Sequence, residues 1–181
     1  MQSLAMEPIT VVLCLLLVHA GLGAFDTFFN HEWQERLPHR PEAATEVALH
    51  SLRSAHFAVI FGGVAWLEWH GAWGWAMLAV MGVEYAVTIV DSVVEDRSRR
   101  LSAVERVNHM LLAINTGLYM ALFAWHVATR WHDLPSGVAP AQHPAWLVFP
   151  LTLCTAAVLV WTVRDAAAAR RLATRLPVPA R

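Results

Sequence analysis

Two short stretches, "EVALH" (residues 46–50) and "ERVNH" (105–109), each set a carboxylate and an imidazole four residues apart. On a helix, an i,i+4 pair lies on one face, so Glu46 with His50 and Glu105 with His109 can each present two ligands to one centre. A single Glu–His pair at a helix start is usually a hydrogen-bonded interfacial pair, and an acid in a first turn also suits the helix dipole. What lifts these two above that reading is their company. His19 precedes Asp26 by seven residues, and Glu84 precedes Asp91 by seven. His56 follows His50, and Asn115 follows His109, at the same interval. Closer to the loops, Asn30 and His31 correspond to Glu95 and Asp96.

This chemistry suits a transition-metal pair. Carboxylate-bridged di-iron bundles draw Glu from two helices and a Glu-x-x-His pair from each of two others. Here the pair is Glu-x-x-x-His and the single carboxylates are Asp, so the likeness is chemical. The expected ligands are Asp26, Glu46, His50, Asp91, Glu105 and His109. His19, His31, His56, Glu84, Glu95 and Asn115 are expected as further ligands or as partners that orient them. Mixed imidazole and carboxylate ligation favours Fe, with Mn or Zn also suited, over Ca or Mg. Two divalent ions would balance four carboxylates, which are costly to keep ionised unpaired in an apolar surrounding.

The elements that must carry these residues are membrane helices. The chain has 181 residues, 57% of them hydrophobic and 15% charged, with nine Trp and no Lys. Soluble domains are about 25% charged. A mean hydropathy of +0.44 points the same way. A net charge of −1 gives no basis for binding nucleic acid. Five apolar stretches, 8–29, 46–67, 73–95, 105–129 and 145–164, are long enough to cross roughly 30 Å of hydrocarbon. "RLPHRPEA", "WHGAWG", "DRSRRLS" and "DLPSGVAPAQHP" punctuate them. No extended alternating strand pattern occurs. The expected fold is an all-α integral membrane protein, a five-helix transmembrane bundle in one domain (1–181).

Within it, spans 1–2 (1–71) and 3–4 (72–132) read as a parallel internal repeat of helical hairpins. The fifth span and its basic tail (144–181) stand outside the repeat, in a packing or interaction role. The repeat would bring all four polar elements to one end of the bundle. His19, His56, Glu84 and Asn115 would form a layer roughly 10 Å deeper, at about 1.5 Å per residue.

Arginines set the orientation. Arg36, Arg40 and Arg53 flank the first loop, Arg97, Arg99, Arg100 and Arg106 the third, and Arg164, Arg170, Arg171, Arg175 and Arg181 the tail. The other side has only Arg130. The positive-inside rule puts those loops and the C-terminus in the cytoplasm and the N-terminus outside, in a bacterial inner (plasma) membrane. The first stretch has small residues after its apolar run, as a signal peptide would, but no basic segment before it, so a retained span is expected. Cys14 and Cys154 have no metal-type spacing and are expected as small buried residues. Glu68, His70, His126, His132 and His143 have no counterparts in the repeat and are expected at the outer interface beside the tryptophans.

A metal pair at the cytoplasmic mouth of a bundle could meet a lipid-soluble substrate from the bilayer, O₂, and a cytoplasmic electron donor. The expected function is therefore an O₂-dependent dinuclear-metal oxidoreductase of the hydroxylase, desaturase or oxidase type, acting on a hydrophobic molecule. One alternative is a haem b electron carrier with bis-His ligation by His50 and His109 or by His19 and His56. Another is a divalent-cation or proton transporter using the Asp, Glu and His layers.

Overall fold

The computed structural model describes residues 7–175, so Arg181 of the basic tail lies outside the described residues. Among the described residues there are five long helices: α1 (Pro8–Phe25), α2 (Ala44–Trp66), α3 (Ala72–Ser98), α4 (Ala103–His126) and α5 (Ala145–Ala173). With their flanking turns, five segments of 26 to 29 residues are long and apolar enough to cross a membrane. All are longer than the apolar stretches alone, because their polar ends stay helical. Valines, isoleucines and leucines such as Val59, Val83, Ile114, Leu118 and Val160 are half exposed or more, as lipid-facing side chains would be.

The packing is pairwise. α1 lies mainly against α4, α2 against α5 and α3, and α3 also touches α4. The core between them is apolar and fully buried at Leu13, Leu16, Ile60, Met77, Tyr119 and Leu147. A smaller apolar cluster seats Leu37, Ala43 and Val47 against Ala168 and Leu172 near the end of α5.

Two departures from an all-helical chain occur at the opposite end. β1 (Leu67–His70) pairs antiparallel with β2 (Gly137–Pro140), Trp69 opposite Val138. Four residues per strand are too few to leave an alternating pattern in the sequence. Gly71 then turns the chain into α3 at φ +55°, where a Cβ would lie 2.5 Å from Ser136 Oγ.

Two helices also continue as π-helix: α1 over Asp26–Gln34 and α4 over Val127–Trp131. The first of these matters for the site. In an α-helix, residues five apart are rotated by about 140° at about 100° each. With i→i+5 bonding they come onto one face, and Asp26 and His31 are five apart.

Candidate metal centre

The polar residues of four helices meet at the end of the bundle formed by the 35–43 and 99–102 links. Asp26, at the start of the π segment, accepts a 2.7 Å hydrogen bond from Asn30 and lies 3.2 Å from His109 Nε2 and 3.4 Å from His31 Nε2. His50 Nε2 lies 3.1 Å from Asp91 and 3.5 Å from Glu95 Oε1. Glu95 sits between the two halves, its other oxygen 3.5 Å from His109 Nδ1. The rings of His31 and His50 stack at 4.2 Å, nearly parallel.

Two sets of side chains bring one ligand atom each to within 4.8 Å of one another: Asp26, His31, Glu105 and His109, and His31, Glu46, His50 and Glu95. These buried His, Asp and Glu groups could hold a metal ion. His31 Nε2, His50 Nε2 and both oxygens of Glu95 are buried without a hydrogen-bond partner. Such groups are expensive to leave unpaired, and their lone pairs are what a metal would take.

Two arginines share the site. Arg99, in the link between α3 and α4, donates to Glu46 at 2.9 Å and to both oxygens of Glu105 at 2.6 and 2.9 Å. Burial alone would lower the Arg99 pKa, but the bonds to Glu105 and Glu46 outweigh it and raise it above the usual guanidinium value. Arg53 donates to Asp91 at 2.8 Å and approaches Glu84 at 3.5 Å. The sequence marks both arginines as topology signals and as possible neutralising charges for Asp26 and Asp91, but not as partners of particular carboxylates. Facing a carboxylate across the bundle depends on helix rotation, which charge counting does not provide.

All six residues expected as ligands therefore lie in this cluster, and Asp91 differs from the rest in being tied to Arg53. His31 and Glu95, expected at its margin, lie at its middle. Of the deeper group, His19 and Asn115 meet at 3.4 Å, and Glu84 accepts from Thr88 at 2.7 Å. His56 does not join them: its Nδ1 lies 2.9 Å from the Leu52 carbonyl of its own helix. Six residues past His50, at about 100° per residue, it has rotated off that face.

Helix five also departs from expectation, since Asp165 is buried and lines the same cavity as His31 and His50. Cys14 and Cys154 are half-buried free thiols. At the far end of the bundle, Glu68 pairs with His70 at 2.9 Å, His132 with Asp133 at 2.9 Å, and buried His126 packs on Trp131. His143 is half-buried there, and burial lowers its pKa.

The fold and site define a class: a five-helix integral membrane protein with a buried histidine–carboxylate cluster that could bind metal. No protein family matches this chain, and no curated protein or solved structure matches it either.

Proposed function

We propose that the cluster is a dinuclear transition-metal centre, with Fe favoured and Mn or Zn also suited, and that the protein is an O₂-dependent oxidoreductase for a hydrophobic substrate. The observation that carries this is the convergence of three imidazoles and five carboxylates from four helices, with unpartnered ligand atoms at its middle. One ion would take Asp26, Glu105 and His109, the other Glu46 and His50. Glu95, with one oxygen towards each of His50 and His109, would help to hold the ions. Two guanidiniums leave three of the five carboxylates without a fixed counter-charge, a deficit that bound cations would meet. Asp91, held by Arg53 and 3.1 Å from His50 Nε2, is in neither set of converging ligand atoms and fits better as a charge partner beside the site than as a ligand. The bound metals would supply O₂ activation, while the histidines and carboxylates set their geometry and charge.

The parallel repeat belongs to the same reading. Asp26 meets His109 at 3.2 Å, and its counterpart Asp91 meets His50 at 3.1 Å. Arg99 joins the counterparts Glu46 and Glu105. α1 packs on α4 as α3 packs on α2. His31 and His56 depart from this symmetry, since their counterparts are the exposed Asp96 and the buried Asn115. By the arginine asymmetry, the site opens to the cytoplasm, where an electron donor can reach it, and the N-terminus lies outside.

Bis-His haem is less well supported, because the His50 ring is stacked on His31 and its Nε2 faces Asp91 and Glu95, while His19 meets Asn115 and not His56. Transport is disfavoured by the apolar core of Phe61, Met77, Met81 and Phe123 beyond the polar layers. His50→Ala and His109→Ala each test the proposal. Loss of metal from a protein that still inserts and stays folded is expected. Full metal retention in both variants would overturn the ligand assignment.

A further inference from the structure

An elongated cavity of about 190 Å³ runs between α1, α2 and α5. Its wall runs from His19 on α1 to Glu32 on the π segment. Phe57, Phe61, Leu112 and Val158 make its inner part apolar. At the loop end it is lined by His31 and His50 of the metal cluster, and by Trp161 and Asp165 of α5.

Those last two residues lie one helical turn apart, and each has an unused polar atom. Asp165 is 6% exposed, and its Oδ1 accepts no hydrogen bond. Arg164, whose Nη2 is paired with Glu32 at 2.5 Å, holds its Nη1 3.6 Å from that oxygen, beyond hydrogen-bond reach. The Trp161 Nε1–H is likewise buried without an acceptor. A buried acceptor and a buried donor left open side by side in one cavity wall are costly to fold. They are complementary to a single group that both donates and accepts.

We propose that Asp165 and Trp161 bind the hydroxyl head of a single-chain amphiphile. Its hydrocarbon tail lies along the apolar cavity, and the carbons next to the hydroxyl pass the metal cluster. The hydroxyl donates to Asp165 Oδ1 and accepts from Trp161 Nε1. An ammonium head could only donate, leaving Trp161 unsatisfied, and a carboxylate head would meet the Asp165 carboxylate. An alkane would leave both atoms open. This assignment names the substrate class of the proposed oxidoreductase and rests on that reading for its chemistry, though not for its binding.

The test is a native mass-spectrometric titration of the purified full chain in detergent with dodecanol, dodecylamine, dodecanoate and dodecane, with metal content measured on the same samples. Dodecanol should bind about tenfold more tightly than dodecane, the worth of hydrogen bonds made to groups otherwise left open. Asp165→Leu and Trp161→Phe should each reduce that preference to less than about twofold while leaving dodecane binding and metal content unchanged. The Phe variant keeps an aromatic ring beside Phe28 and Arg164. Ala157→Trp, which fills the cavity wall, should weaken all four probes. Equal binding of dodecanol and dodecane, a preference for the amine or the carboxylate, or an alcohol preference that survives both head-site variants would overturn the proposal. Normal metal content with no alcohol preference would sink this assignment alone. An alcohol preference in a chain that retains no metal would sink only the metal reading.

Discussion

Arg99 is the residue on which the two physical readings of the cluster divide. It holds Glu46 and Glu105 together, and its side chain is 9% exposed. Removing one member of a buried ion pair leaves charge uncompensated, at a cost of about 3–5 kcal/mol. Arg99→Ala should therefore melt well below the parent in metal-free form. Added Fe²⁺, Mn²⁺ or Zn²⁺ should recover most of the loss, because the bound ions balance the two glutamates that Arg99 no longer pairs. A thermal scan with and without metal checks this, and a loss that no metal repairs would mark Arg99 and its glutamates as a structural ion-pair network. The Glu–His pairs themselves were legible in the sequence, since helical spacing alone fixes which groups share a face. Arg53 and Arg99 were not legible as site residues. A loop arginine and a helix arginine look the same in sequence whether they face lipid headgroups or a carboxylate across the bundle.

At the scale of elements, the π segment over Asp26–Gln34 decides whether His31 belongs to the site. His31→Ala would remove the ring that i→i+5 bonding sets on the face of Asp26. Weakened metal retention, by about tenfold or more as for loss of a supporting group, is the expected result by metal analysis, with membrane insertion intact. Unchanged retention would show that His31 contributes nothing. The sequence offered no sign of this segment: nine helical residues carry the same composition whether bonded i→i+4 or i→i+5, so His31 looked peripheral. The start of α4 is a contrast. Ser102 caps it by accepting from the Glu105 N–H at 3.1 Å, which fixes Glu105 in the first turn facing Arg99. Ser102→Ala should cost about 1 kcal/mol of stability in a denaturation series. No change would mean that Arg99 alone positions Glu105.

At the scale of the whole molecule, five spans and the gathering of their polar residues at one end followed from hydropathy and period alone. A side chain in hydrocarbon has few options, so the pattern is strict. The β1–β2 ribbon and the insertion of Asp165 beside the cluster did not follow. The first is too short to leave a period, and the second depends on α5 lying against α2, a packing choice that a nearly uniform apolar helix does not encode. The central claim, that the cluster holds a pair of metal ions, meets its most direct test in elemental analysis with an optical spectrum of the purified protein. About two Fe, Mn or Zn ions per chain and no Soret band is the predicted result, two ions being what such a carboxylate–histidine bundle holds. A strong Soret band, or a folded protein that neither carries nor takes up transition metal, would contradict it.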